Sequence, residues 1–157
     1  MIDNSTSHGT VVVERTIDAP VARVYAAFAD PKARASWGTP SDTVIFIYDE
    51  TDFRVGGRDV ARCGDREDPR YRVEARYIDI VDKRRVVWTE IIHELHERLA
   101  ANITTLELVP EGQRTRLKVT VQVTSFVGVG MIENTNAGYT STLANMARYL
   151  EQSKPAI

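Results

Sequence analysis

The spacing of apolar residues changes twice along this chain, and each change indicates a different kind of element. Over 10–17 (TVVVERTI) apolar and polar residues alternate, which predicts an opening strand because successive side chains point to opposite faces. After Asp18-Ala19-Pro20 the spacing becomes that of a short helix, and Asp30-Pro31 is typical of a second helix start. A loop is predicted at 37–40. The apolar stripe of the first helix consists of Val21, Val24, Tyr25 and Phe28.

From residue 43 onward, apolar residues recur at every second position. The last strand is the clearest, because four apolar residues over 117–123 alternate with Arg116, Lys118, Thr120 and Gln122. Short polar links such as Glu111-Gly112-Gln113 predict antiparallel hairpins between neighbouring strands. The six predicted strands cover 43–48, 57–63, 71–81, 85–92, 98–109 and 115–125.

The C-terminal part of the chain returns to a helical spacing. Glycines within 126–138 predict a loop, and a long helix is predicted from about Asn136. Because only this helix is long enough to cover the apolar face of a curved sheet, and a helix alone does not fill such a sheet, a cavity is expected between them. The helix has one apolar face, formed by Tyr139, Leu143, Met146, Ala147 and Leu150.

Two adjacent glycines, Gly56 and Gly57, stand at the start of the strand predicted over 57–63. They indicate a bend, a bulge or a close backbone approach where the sheet curls around the cavity, or else a plain hairpin turn. Both alternatives predict the same strands. The whole segment 53–81 is interpreted as a hairpin on the cavity wall.

Length and composition limit the classes of protein to which this chain can belong. The length of 157 residues predicts one domain over 10–153, preceded by a flexible tail over 1–9. Twenty basic and 22 acidic residues argue against nucleic-acid binding, and the absence of an 18-residue apolar run argues against membrane insertion. The single cysteine, Cys63, excludes an internal disulfide and favours a cytoplasmic location.

The sequence contains no pattern for metal, cofactor or nucleophile chemistry. His8, His93 and His96 lack the spacing of a metal site, and HELH is interpreted as a hairpin link. Cys63 has no evident basic partner, and no phosphate-binding loop or nucleophile elbow is present. We therefore predict no metal and no cofactor.

The strand alternation nevertheless directs several polar groups toward the expected cavity. Asp59 and Cys63 share one face of their strand, and Tyr71 and Tyr77 share the apolar face of the next strand. Glu90 shares a face with Trp88, and the sequence leaves open whether that face is inside. A buried carboxylate needs a hydrogen-bond donor or has a raised pKa. The predicted ligand-binding residues are Trp37, Phe46, Asp59, Cys63, Tyr71, Tyr77, Trp88, Glu90, Tyr139 and Leu143.

Four segments carry a resemblance to a known family: ERTIDAPVARVYAAFADPKARASWG (14–38), FRVGGRDV (53–60), TRLKVTVQV (115–123) and GYTSTLANMARYLE (138–151). They resemble the AHSA1 family of the START-like (SRPBCC) superfamily, named after the C-terminal domain of the activator of Hsp90 ATPase. The resemblance implies an α+β helix-grip (START/Bet v 1-like) fold. It comprises a curved antiparallel sheet of about seven strands that grips the C-terminal helix, with two short helices after the first strand. Tyr139 replaces the usual Trp, and Asp59 replaces a frequent aromatic residue.

Three hypotheses about function follow. The first is a cytoplasmic binding module for a small hydrophobic or amphipathic molecule, held in the cavity. The second, by analogy with relatives in the superfamily, is a cyclase, dehydratase or hydrolase that uses Asp59 or Glu90 with Tyr77 as acid and base. The third, from the family name, is a chaperone partner, for which the sequence shows no specific feature. The sequence leaves open whether the chain forms a homodimer.

Overall fold

The computed structural model describes residues 4–38 and 43–152. Seven strands form one curved antiparallel sheet in the order β1-β7-β6-β5-β4-β3-β2, and α3 packs against β1, β7 and the two short helices. This arrangement confirms the predicted α+β helix-grip fold. The elements are β1 (Ser7–Ile17), α1 (Val21–Ala29), α2 (Pro31–Gly38), β2 (Val44–Glu50), β3 (Arg58–Asp65), β4 (Asp68–Val81), β5 (Arg85–Glu94), β6 (Glu97–Glu111), β7 (Arg114–Ser125) and α3 (Gly130–Gln152).

The core lies between the inner face of the sheet and α3. The alternation predicted for β7 is confirmed, since its four inward apolar residues from Leu117 to Val123 are all buried. The apolar face of α3 is buried as well from Leu143 to Leu150. Burying both surfaces together removes them from water, which is the main driving force for this packing.

Three predicted boundaries were wrong. β1 begins at Ser7 because residues 7–9 pair with 123–125 of β7, so the predicted tail extends too far. Trp37 and Gly38 end α2 instead of forming a loop, because the buried indole of Trp37 donates a hydrogen bond to the Ala27 carbonyl at 3.0 Å. The rest of that predicted loop, Thr39 and Pro40, lies outside the described residues.

The third wrong boundary is the start of α3, which begins at Gly130 instead of Asn136. Glycines predicted a loop over 126–138, but this segment contains apolar residues that extend the helix. Ile132 packs against the core, and the Thr135 hydroxyl donates to the Met131 carbonyl at 2.8 Å within the first turns. The N-terminal half of α3 therefore lies beside the sheet and contributes to its cavities.

The glycine pair lies in the connection between β2 and β3, and both glycines are required there. Gly56 has a φ of +83°, which favours glycine, and its N–H donates to the Tyr77 carbonyl at 2.8 Å. A Cβ atom on Gly57 would lie 2.0 Å from the Asp52 carbonyl oxygen. The close backbone approach is thus the correct alternative, and it anchors the connection to β4.

Within 4–38 and 43–152, no helix is long and apolar enough to cross a membrane. The same residues contain no cluster of three or more His, Cys, Asp or Glu side chains that could hold a metal ion.

Candidate ligand cavity

A cavity of about 210 Å³ lies between the inner face of the sheet, α2 and α3. Its wall is mainly apolar and aromatic, with Phe28, Trp37 and Trp88 on one side. The rings of Phe28 and Trp88 are 5.5 Å apart, and those of Phe28 and Trp37 are 6.5 Å apart. Small side chains on the facing strands, Ala61 and Ala75, leave room for this space.

Eight of the ten sequence-predicted residues line this cavity. The structure settles the question that the sequence left open for β5, because Trp88 and Glu90 both point into the cavity. Cys63 and Tyr71 do not line it: they are partners in the β3–β4 ladder, closer to the turn that joins the two strands. The eight are Trp37, Phe46, Asp59, Tyr77, Trp88, Glu90, Tyr139 and Leu143.

One end of the cavity contains a buried ion pair. Arg34 of α2 donates from Nη1 to Asp59 Oδ2 at 2.7 Å and to the Tyr77 hydroxyl oxygen at 3.0 Å. The Tyr77 hydroxyl in turn donates to Asp59 Oδ2, and the Asp52 N–H donates to Asp59 Oδ1 at 3.2 Å. Asp59 is 4% exposed, so its charge requires these donors. We call Arg34, Asp59 and Tyr77 the ion-pair cluster.

Arg34 also contacts aromatic rings. Its guanidinium carbon lies 4.7 Å from the centre of the Tyr48 ring and 5.7 Å from that of Phe28, which are cation–π distances. Its Nε and Nη2 atoms are buried and have no hydrogen-bond partner among the described residues. Two donor atoms of Arg34 are therefore available to an acceptor in the cavity, whereas both oxygens of Asp59 already accept hydrogen bonds.

Burial keeps the two phenols of this end neutral. It raises the pKa of Tyr48 to about 12, against the opposing effect of the Arg34 charge. Burial likewise raises the pKa of Tyr77 well above its ordinary value, and the hydrogen bond to Asp59 acts in the same direction. Both hydroxyls therefore stay protonated at neutral pH.

The other polar group in the cavity is Glu90 of β5. The side chains of Asn102 and Thr104 on β6 approach its Oε1 at 3.4 and 3.5 Å, which is long for hydrogen bonds. Burial raises the pKa of Glu90, although hydrogen bonds from Asn102, Trp88 and Thr104 oppose that effect. No ion-pair partner for Glu90 exists in the described part of the chain. We call Glu90, Asn102 and Thr104 the carboxyl cluster.

A second cavity of about 240 Å³ adjoins the carboxyl cluster. Glu90, Tyr139 and Thr142 line both cavities, so they form the boundary between the two. The second cavity is also lined by Asn102 and, from the first turns of α3, by Met131. Burial raises the pKa of Tyr139 well above its ordinary value, and the nearby Glu90 adds to the effect.

Two important residues were missing from the sequence-based set: Arg34 and Tyr48. Arg34 belongs to the second predicted helix and lies three residues before Trp37, and thus on the same helix face. The requirement that a buried Asp59 find a donor could have identified it. Tyr48 lies two residues after Phe46 on β2 and so on the same face.

The comparisons with known proteins agree with this geometry. Residues 18–151 match the family model described as activator of Hsp90 ATPase homolog 1-like protein. No match was found among curated proteins.

Several solved structures have the same fold. An uncharacterized protein from Rhizobium leguminosarum is 28% identical, with a TM-score of 0.84 over 95% of this chain and 98% of that chain. Protein Mll3558 from Rhizobium loti is 34% identical, with a TM-score of 0.74 over 90% and 99% of the two chains. Protein CV1439 from Chromobacterium violaceum is 27% identical, with a TM-score of 0.80 over 90% and 96%.

Proposed function

This chain belongs to the activator of Hsp90 ATPase homolog 1-like family, and on that premise we propose that it is a small-molecule binding protein. Its ligand is hydrophobic or amphipathic and occupies the cavity between the sheet and α3. The observation that carries the proposal is a cavity walled by aromatic rings, in which the described residues place carboxyl groups at two positions, Asp59 and Glu90. Such a combination of apolar wall and few polar anchors is typical of ligand sites.

The volume limits the size of the ligand. An apolar cavity of about 150 Å³ accommodates benzene, so 210 Å³ suits a molecule with one aromatic ring and a short substituent. The second cavity, beyond Tyr139, offers room for a longer substituent. The free Nε and Nη2 donors of Arg34 favour a ligand with a carbonyl or phenol oxygen at that end.

Thermal unfolding and native mass spectrometry test this proposal with a panel of one-ring aromatic compounds and short fatty acids. A ligand that binds only the folded state at 100 times its Kd adds about 2.7 kcal/mol to the free energy of unfolding. Ala75→Phe, which fills the cavity, should abolish binding. Ile78→Phe on the exposed face of the same strand should leave binding unchanged. Binding that survives Ala75→Phe would contradict the proposed site.

An acid–base enzyme is a second candidate function, and the raised pKa of Glu90 favours it. The acid–base role would fall to Glu90, because both oxygens of Asp59 already accept hydrogen bonds. Incubating each bound compound with the protein and analysing it by mass spectrometry tests this candidate. Conversion that Glu90→Gln removes without loss of binding would support an enzyme, and an unchanged compound would support a binding protein.

A further inference from the structure

The carboxyl cluster differs from an ordinary packed polar group because it contains an unused acceptor. Asn102 donates its amide N–H to Glu90 Oε1, which leaves Asn102 Oδ1 as the atom available to other groups. That oxygen is buried without a hydrogen-bond partner in the described ranges, and the residue is only 4% exposed. A buried acceptor without a donor costs folding free energy. A ligand that supplies a donor would recover that free energy.

The position of the cluster makes it accessible to a ligand in the cavity. Glu90 lines both the main and the second cavity, and Asn102 lines the second. A group placed at the boundary beside Tyr139 can therefore contact the carboxyl and the amide oxygen together. One N–H donor cannot serve two acceptors well, whereas an amino group has two or three.

Charge also favours a cationic group. In the described part of the chain Glu90 has no Lys, Arg or His within ion-pair distance, whereas the Asp59 charge is matched by Arg34 at 2.7 Å. The groups whose charges affect or are affected by Glu90 are Tyr48, Cys63 and Tyr139, none of which is a cation. An ammonium group at Glu90 would supply the missing counter-charge.

We propose that Glu90 and Asn102 form the binding site for an amino group, and that the ligand is a small aromatic amine whose ring occupies the main cavity. This inference rests on the proposed binding function and specifies its ligand class. The ring contacts Phe28 and Trp88, and the amino group donates to the Glu90 carboxylate and to Asn102 Oδ1. The raised pKa of Glu90 is consistent with a carboxyl that lacks a cation until the ligand arrives.

Three probes of nearly equal size test the inference by isothermal titration calorimetry: 2-phenylethylamine, 2-phenylethanol and 3-phenylpropionate. The amine should bind at least tenfold more tightly than the alcohol, because charge-assisted hydrogen bonds are about twice as strong as neutral ones. The carboxylate should not depend on Glu90, because its acidic group can bind at the free donors of Arg34. Equal or tighter binding of the alcohol than of the amine would overturn the amine site and leave the proposed cavity function intact. If none of the three probes binds, both the amine site and the proposed binding function are contradicted.

Two variants locate the site. Glu90→Gln should weaken binding of the amine at least tenfold and change binding of the alcohol less than threefold, since only the amine needs the charge. Glu107→Gln removes the same charge from an exposed position on neighbouring β6 and should change neither affinity. Asn102→Leu, which removes the second acceptor, should also weaken the amine selectively. An amine affinity that Glu90→Gln and Asn102→Leu leave unchanged would overturn the inference.

Discussion

The two polar clusters of the cavity place a carboxyl group in opposite surroundings, one with a cation beside it and one without. In the ion-pair cluster, Asp59 has a cation at 2.7 Å and donors on both oxygens. In the carboxyl cluster, Asn102 and Thr104 approach Glu90 Oε1 at long distances, and no cation lies within ion-pair distance of Glu90 among the described residues. The Asp59 carboxylate therefore has its partners within the protein, whereas the Glu90 carboxyl lacks a cation among the described residues.

This difference separates a carboxyl that stabilises the fold from a carboxyl that is open to a ligand. The ion-pair cluster links α2 to β3 and β4, so it fixes one end of the cavity through contacts that already exist in the folded protein. The carboxyl cluster has acceptors that the described residues leave unused. Removing a group from the first cluster should therefore reduce stability, and neutralising Glu90 in the second should increase it.

The largest effect is expected from Asp59→Asn. The change leaves the Arg34 charge buried at 5% exposure without its carboxylate. Because breaking one side of a buried ion pair typically costs about 3–5 kcal/mol, we expect a loss of that order in the free energy of unfolding. Urea denaturation followed by tryptophan fluorescence measures it.

The matched control is Asp49→Asn, which breaks an Asp–Arg pair of the same 2.7 Å length on the protein surface. Both partners there are more than one-third exposed and screened by water, so the loss should be small compared with that of Asp59→Asn. Equal losses in the two variants would show that the ion-pair cluster does not hold the fold together.

Gly57→Ala should have the second-largest effect. Gly57 belongs to the connection that brings the Asp52 N–H to Asp59, and an alanine Cβ would lie 2.0 Å from the Asp52 carbonyl oxygen. The backbone must move to relieve that contact, so a loss of about 2 kcal/mol or more is expected. Gly138→Ala on α3 meets no atom within 4 Å and should be neutral or stabilising by up to about 1 kcal/mol. Thermal unfolding compares the two, and a harmless Gly57→Ala would contradict the close approach.

Tyr77→Phe tests the third member of the ion-pair cluster with a smaller change. It removes the hydroxyl that donates to Asp59 and accepts from Arg34, while the ring keeps its edge contact with Phe53 at 5.0 Å. A loss of about 1–2 kcal/mol in the free energy of unfolding is expected for a buried hydrogen bond to charged groups. The same substitution at half-buried Tyr25 should cost less than about 0.5 kcal/mol. Similar losses at both positions would argue against the cluster.

Sequence patterns predicted the fold well because strand and helix periods report directly on which side chains are buried. The alternation in β7 and the apolar face of α3 are enough to place the sheet against the helix. The boundaries were less predictable, because pairing and packing override local signals. Residues 7–9 join the sheet because β7 extends far enough to pair with them.

A residue of the candidate site was predictable only where the periodicity of its own strand or helix determined the direction of its side chain. Alternation placed Asp59 and Tyr77 on inward faces and put Glu90 on the same face as Trp88, and only the structure shows that this face points inward. It could not assign Arg34 to Asp59, because a contact between α2 and β3 depends on how the helix packs on the sheet. In the sequence, Asp59 and Glu90 are both carboxyl residues within predicted strands. Only the residues around them in the folded protein show that Asp59 has an ion-pair partner and that Glu90 has none among the described residues.

Glu90→Gln should have the smallest effect, and with the opposite sign. Because burial raises the pKa of Glu90 above its ordinary value of 4.5, its contribution to stability is fully present below pH 4.5 and is lost as the pH rises through the raised pKa. Glutamine does not titrate, so the difference in stability should shift in favour of the variant across that range, and the variant should be the more stable protein above it. Urea denaturation at several pH values measures the difference, and Glu107→Gln should show no such trend. A Glu90→Gln variant that is less stable at neutral pH would mean that the carboxylate has a favourable partner in the free protein, and the contrast between the two clusters would then disappear.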